Sequence, residues 1–396
     1  MTTQRTLTVR TASKAALTVL VTLVAASACT PFAASSTTLS STEVTGRPAP
    51  QAPVRRAAVA TVAAETAAPV AAPATVPAAP AAAPAPAAPR PGSFVTPGRR
   101  MGIGGCELFP TDNAFHATVT SLPVRQDSNQ VLFAAGGINT KVRAGFTAGV
   151  YHGSRGGYPV NLVDSRTDET VEYTVVKYAD NAVAERHTVP AEPKFEGWPS
   201  AAWDRHLLSV DTATCTTSEA MQAIPARMNP TGRWLADSAT KFDLGSNELP
   251  AKGSTTAAGF SLLHGLVRYD EVAAGNVAHA VTVTLPQIRP GEAVWPARFT
   301  DGKGTVPFLP QMGSWLRLKA TADLSGLGPQ ALAVARAMQV HGAVVGDTGA
   351  QGLTITGEPD VRWNDADLAT LGGLSLLDFE VVDPSAMHAG ASLTIR

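Results

Sequence analysis

Short runs in which apolar and β-branched residues alternate with polar ones recur along the chain from about residue 101 onward. They are TVEYTVVKYA (170–179), HLLSVD (206–211), HAVTVTLP (279–286), SWLRLKA (314–320), LTITG (353–357) and DFEVVD (378–383), with Gly, Pro, Asn and Asp clusters between them. A period of two bounded by turn residues predicts strands, because successive side chains in a strand point to opposite faces. Strands this short and numerous predict an α+β, β-dominated fold with a sandwich or jelly-roll-like sheet core. Two helices near the C-terminus should pack on that core. In GPQALAVARAMQVHG (328–342), Pro329 suits a helix start, Ala331, Val334, Ala335 and Met338 form one apolar stripe, and Gly342 is the stop. NDADLATLG (364–372) opens at Asn364 or Asp365 and closes at Gly372. No repeat of roughly 20 to 50 residues is visible in this region, which disfavours solenoids and propellers.

Upstream the alternation disappears. Residues 1–29 have basic positions at Arg5, Arg10 and Lys14, an apolar run over 15–28, and small residues before Cys29. That is the layout of an export signal peptide. The apolar run falls short of the roughly 20 residues a membrane-spanning helix needs. The sequence Ala26-Ser27-Ala28-Cys29 resembles the bacterial lipobox, which implies lipidation of Cys29, although Ala26 stands where a larger aliphatic residue is usual. Cleavage near Ala28 or Ala34 without lipid is the alternative. Residues 30–100 are dominated by Ala, Pro, Thr and Val, a composition that prevents helix and sheet and offers little to bury. They predict a disordered, partly polyproline II tether able to span over roughly 100 Å. Residues 101–396 then form a single β-rich domain.

Charge and cysteine content narrow the function classes. The 396-residue chain has a formal net charge of −1 and no long Lys/Arg run, which argues against nucleic-acid binding. With Cys29 lipidated, Cys106 and Cys215 remain as a candidate disulfide pair in an oxidising compartment; two buried reduced thiols are the alternative. No CxxC is present, so a structural zinc site is not expected. HExxH, GxSxG, a P-loop, GxGxxG after a strand and the EF-hand pattern are also absent, and no cofactor is expected. HGSRGG (152–157) has the wrong spacing for a nucleophile elbow and reads as a loop.

The candidate chemistry lies in polar residues beside the strand-like runs. In WDRHLLSVD, period-two alternation would put Asp204 and His206 on one face of a strand, with Arg205 and Asp211 on the other. If DTAT turns a hairpin, Glu219 returns toward that strand, and two carboxylates brought together in this way could serve as acid and base. Of the tryptophans Trp198, Trp203, Trp234, Trp295, Trp315 and Trp363, one or two are expected to line a cleft and stack on sugar faces. In VRYDEVAAGNVAHAVTVTLP (267–286), Asp270 reads as the N-cap of a helical turn running to Ala274, with Gly275 as its stop. His279 opens a strand on the face of Val281 and Val283. In RWNDADL, Asp365 and Asp367 read as helix-capping residues rather than a calcium site.

Taken in order, WDRHLLSVD, CTTSE, FDLGSN, GLVRYDEVAAGNVAHAVTVTLP, WPAR, MGSWLRLKA, VHGAVVGDTG and GEPDVRWNDADL through DFEVVD resemble a widespread family of exported bacterial proteins. Its members carry a DRH strand, a following Glu between aromatics, a Gly-Leu-Val-Arg turn leading to a His-Ala strand, and a Met-Gly-x-x-Leu-Arg-Leu-Lys strand. Some are joined to carbohydrate-binding modules, so the resemblance implies work on polysaccharide. Asp204, Arg205 and His206 match the DRH motif, Glu219 the following Glu, and His279 the His-Ala strand. Glu219 is flanked here by Ser218 and Ala220, where relatives tend to have aromatics.

The leading expectation is an exported glycoside hydrolase acting on a bacterial-wall or plant polysaccharide. Asp204 and Glu219 would be the catalytic pair, assisted by His206, with Arg205, Arg268 and His279 on the substrate-binding side. The alternative is a non-catalytic carbohydrate-binding or wall-adhesion lipoprotein. A structural envelope protein, or a metal-dependent hydrolase using Asp204, His206 and His279, are further readings. The expected partners are a glycan and, through Cys29, the membrane, with the protein acting as a monomer.

Overall fold

The computed structural model describes residues 102–200, 203–349, 351–388, 390 and 392–395. The expected signal peptide, Cys29 and the tether lie outside the described residues. All described residues belong to one compact unit, Ala82–Arg396.

The strands in chain order are β1 (Val142–Ala144), β2 (Val160–Val163), β3 (Thr170–Val171), β4 (Thr174–Val175), β5 (His187–Thr188), β6 (Leu207–Asp211) and β7 (Thr216–Met221). They continue with β8 (Leu235–Ala236), β9 (Ser238–Asp243), β10 (Val281–Leu285), β11 (Trp315–Leu318), β12 (Ala343–Thr348), β13 (Leu353–Ile355) and β14 (Phe379–Val382). The helices are α1 (Ser128–Ala134), α2 (Tyr269–Ala273), α3 (Pro329–Val340) and α4 (Asp365–Ala369). The protein is therefore α+β with β dominant. One six-stranded mixed sheet runs β1-β13-β10-β12-β11-β14, and a four-stranded sheet runs β2-β6-β7-β9. Two small two-stranded sheets pair β3 with β5 and β4 with β8.

The largest core lies on the six-stranded sheet, where Phe115, Val281, Val283, Trp315, Val344 and Ile355 are buried with the α3 stripe of Ala331, Val334, Ala335 and Met338. Pro329 begins α3, and Gly342, at φ +81°, lets the chain turn away after it. The α3 N-cap residue is Gly328, which has no side chain to cap with. Asp367 of α4 takes that role across space, accepting from the amides of Gln330 (3.1 Å) and Ala331 (2.9 Å). Asn364 caps α4 itself. Asp365 accepts from the amides of Ala148 and Gly149 and from the Tyr151 hydroxyl, so both carboxylates of this run fix loops and helix ends.

A second core, with Tyr173, Leu207, Ala220 and Trp234, lies under the four-stranded sheet. The run 170–179 does not form one strand: β3 and β4 join different partners on either side of Glu172 and the buried Tyr173. A third cluster gathers Phe109, Leu208, Val210 and Leu263 around Cys106, which is disulfide-bonded to Cys215.

Two local features position the site. The segment 254–262, which follows β9, bonds to both large sheets: Thr255 and Leu262 donate to Glu219 of β7 in the four-stranded sheet, and the Ala258 amide donates to the Gly346 carbonyl of β12 at 3.1 Å. The second is a bulge in β12. Val283 faces Val345 but Thr284 faces Asp347, so Gly346 is the extra residue. A Cβ at Gly346 would lie 2.5 Å from Thr282 Cγ2 and 3.1 Å from the Phe260 ring, so only glycine fits. The bulge alters the alternation along β12 and re-aims Asp347.

Candidate functional site

The DRH residues precede β6 rather than forming part of it. Trp203 and Arg205 have φ of +57° and +48°, so the period-two alternation used to place Asp204 and His206 on one strand face does not apply there. Asp204 lies in a turn with its side chain exposed. Its carbonyl accepts from the Gln222 amide at 2.7 Å. Arg205 is a partly buried clasp: its guanidinium lies 4.9 Å from the Phe195 ring centroid and donates to the Ala223 carbonyl. That placement ties it to the fold and not to a binding face.

His206 is buried, and each ring nitrogen meets an acceptor. Nδ1 lies 2.7 Å from Glu196 Oε2, and Nε2 lies 2.8 Å from the Thr255 carbonyl. Two acceptors require two N–H donors, so the ring is an imidazolium. Burial opposes that charge, but the hydrogen bond and charge of Glu196, with smaller help from Thr255 and Asp204, raise its pKa to about 9.

The hairpin β6–β7 forms across residues 212–215, and its register sets Glu219 opposite Leu208. Glu219 is nevertheless closed off from solvent, at 1% exposure. Its oxygens accept from Thr255 Oγ1 (2.7 Å), from the Leu262 amide (3.1 Å to each oxygen) and from Ser261 Oγ. Burial raises its pKa, and these donors offset part of the rise. The expected catalytic role of Glu219 is therefore corrected: its carboxylate anchors segment 255–262 to β7.

His279 and Arg268 are likewise structural. Arg268 Nη2 lies 2.5 Å from Glu271 Oε1, and Glu271 Oε2 lies 3.2 Å from His279 Nε2, with all three residues largely buried. His279 Nδ1 also meets the Ala280 carbonyl at 2.9 Å. Burial opposes both charges; even so, His279 and Arg268 hold the Glu271 carboxyl below its ordinary range, and Glu271 lifts His279 above its own. Asp270 does not cap α2, whose N-cap is Arg268. It is exposed and pairs with Arg362 at 2.8 Å. Of the two expected helix-end residues only Gly275, at φ +66° just after α2, serves as one, while Glu271 carries a buried ion triad.

This triad edges a small cavity of about 20 Å³ among Phe109, Phe115, His116, His264 and His279, room for one water and not for a sugar. Because both ring nitrogens of His206 and of His279 already meet protein acceptors, Asp204, His206 and His279 do not form a metal centre. Among the described residues, no group of three or more His, Cys, Asp or Glu is placed to hold one.

What does gather around Asp204 and His206 is a set of residues not singled out from sequence. Asp347, half-buried at the end of β12, has its pKa raised to about 7 by burial and then by the negative charges of Asp301 and Asp204, with His206 acting in the opposite direction. Tyr158, at the approach to β2, packs edge-on to His206 at 5.3 Å between centroids. Burial pushes its hydroxyl well up, helped by the charges of Glu196, Asp347 and Asp204. Asp301 accepts a hydrogen bond from Thr348 Oγ1, beside Asp347. Asp347 thus feels the charges of Asp204, Asp301 and His206, and Tyr158 those of Glu196, Asp347 and Asp204, so one strand, β12, and the loops around 158, 196, 204–206 and 301 bring these groups near one another. Exposed aromatics flank the group in sequence: Trp203 precedes Asp204, Trp198 follows Glu196, and Phe299 precedes Asp301. Of the other tryptophans, Trp234, Trp315 and Trp363 are core and Trp295 is half-buried.

No family model, curated protein or solved structure matches the chain.

Proposed function

We propose that the protein is an exported glycoside hydrolase of bacterial-wall or plant polysaccharide, with Asp347 as general acid and Asp204 as the carboxylate that activates water or attacks the sugar. The observation that carries this reading is a half-buried carboxyl at a strand bulge, held protonated by burial and by nearby negative charge that includes Asp204, an exposed carboxylate on a different element. Environments that separate two carboxyl groups in this way divide the acid and base roles. Near neutral pH, Asp347 retains a proton it can give to the leaving oxygen. Asp204, open to solvent, supplies the opposing charge, and the distance between the two across bound sugar determines inversion or retention. His206 acts by charge and by holding Thr255, since neither of its nitrogens is left to touch substrate. The Tyr158 hydroxyl, kept protonated, is a hydrogen-bond donor beside the acids.

The resemblance to exported bacterial proteins, the export signal over 1–29, a lipid at Cys29 and the tether over 30–100 belong to this proposal and rest on the sequence. A sandwich or jelly-roll-like arrangement of the two larger sheets is part of it too, supported by segment 254–262 bonding to both. The exposed Trp198 and Trp203 also favour a second reading, glycan binding without cleavage. A pH–rate profile separates the two. Hydrolysis by Asp347 requires its proton, so activity should fall on the alkaline side near pH 7; binding without product at every pH would reject the hydrolase.

A further inference from the structure

We infer that the glycan is acidic, its rings bearing carboxylate or phosphate groups, and that Arg155, Lys194 and the exposed Trp198 form the subsite that recognises it. This names the substrate class of the site above and rests on the glycan reading of that site.

The subsite is held by backbone bonds. The Trp198 amide donates to the Phe195 carbonyl at 2.9 Å, and the Arg155 amide to the Trp198 carbonyl at 3.0 Å. Ser154 bridges to Pro199 and to Tyr151, so the 151–155 turn lies against the 198–200 segment. Glu196, two residues before Trp198, has its carboxylate on His206 and so connects the subsite to the acids.

Two cations attend the indole. The Arg155 guanidinium lies 5.5 Å and the Lys194 ammonium 5.8 Å from its ring centroid, each in cation–π range. The Arg155 Nε donates to the Ala148 carbonyl at 2.9 Å, which fixes the side chain. Elsewhere on the surface Arg125, Arg166 and Arg362 each pair with an aspartate. Among the described residues neither Arg155 nor Lys194 pairs with a carboxylate, and the acids nearest each in sequence are engaged: Asp164 by Arg166, Glu196 by His206 and Glu192 by Arg227 at 3.7 Å. Two positive charges that form no ion pair among the described residues, set by an exposed indole, complement a sugar ring that carries an anion. A neutral sugar would use the ring and leave both charges unanswered.

The test is equilibrium binding, followed by tryptophan fluorescence, to the full chain carrying Asp347→Asn so that nothing is consumed. The probes are polygalacturonate (carboxylate), wall teichoic acid (phosphate) and a neutral β-glucan of similar length, each at low and at physiological salt. The expected result is binding of at least one acidic polymer, weakened by salt, with the neutral polymer at least roughly ten-fold weaker. Arg155→Ala with Lys194→Ala should weaken the acidic polymer roughly five- to thirty-fold. Lys194→Glu alone, on an exposed side chain, should act in the same direction without loss of fold by circular dichroism. The polymer that binds identifies the anion. Equal affinity for the neutral polymer, no effect of the charge variants, or no binding to any polymer would overturn the inference. Salt-sensitive binding of an acidic polymer that the wild-type protein leaves uncleaved would instead retain the inference and reject the hydrolase.

Discussion

Asp347→Asn removes a proton equilibrium that costs the folded protein stability as pH rises. In the unfolded chain the Asp347 carboxyl ionises near 3.8, whereas in the fold burial and then Asp301 and Asp204 hold it protonated up to about 7. A folded pKa above the unfolded one contributes stability that is complete below 3.8 and lost as pH rises through about 7. A gap of about three pH units, at about 1.4 kcal/mol each, sets a ceiling of roughly 4 kcal/mol. Because the group is half-buried, solvent screening trims this, and roughly 2 to 4 kcal/mol is expected. Asn mimics the neutral carboxyl and cannot ionise. The stability difference between variant and wild type should therefore be nearly flat below pH 4 and move in the variant's favour by that amount at pH 8. Urea unfolding of both proteins from pH 4 to 8 measures it. Any packing cost of Asn is a constant offset, so the slope alone carries the result. Parallel curves across that range would show that Asp347 titrates as an ordinary aspartate, and the acid assignment would fall with it.

The other expectations concern residues that hold the site. Glu219→Gln turns an amide toward donors that now meet a carboxylate, and should cost about 2 to 3 kcal/mol in thermal or urea unfolding. The molecules that remain folded should keep their turnover. Gly346→Ala should cost about 1 to 3 kcal/mol through the clash with Thr282 and Phe260 and, by moving Asp347, should also lower turnover at temperatures where the variant is folded. Glu271→Ala leaves Arg268 and His279 charged and buried without their carboxylate, a loss of about 3 to 5 kcal/mol by chemical denaturation. That loss should shrink as pH rises through the elevated His279 pKa, where the imidazolium gives up its proton.

The parts of the fold that could be read from sequence were those set by local alternation. The runs 206–211, 279–286, 314–320, 353–357 and 378–383 each contain a strand, and the α3 stripe is buried as its spacing predicts. The residues that organise the site answer to non-local geometry. Left-handed φ at Trp203 and Arg205 interrupts the alternation that would have placed Asp204, and nothing in Trp-Asp-Arg announces that turn. Glu219 looked catalytic because a hairpin returns it toward the DRH run. The hairpin is there, but the donors of Thr255, Ser261 and Leu262, roughly 40 residues downstream, take up its oxygens. Asp347 had one visible signal, a lone carboxylate closing the apolar run GAVVGDTG, yet its role depends on a bulge that only pairing with β10 reveals. Glu196 and Tyr158 offered no sequence signal, since each acquires its role by packing against His206.

The most direct measurement is oligosaccharide release from a panel of bacterial-wall and plant polysaccharides by wild type, Asp347→Asn, Asp204→Asn and Glu219→Gln. The account predicts release from an acidic polymer, reduced roughly a hundred-fold or more in each aspartate variant and retained by folded Glu219→Gln. Release that survives both aspartate substitutions, or that disappears only with Glu219, would contradict it.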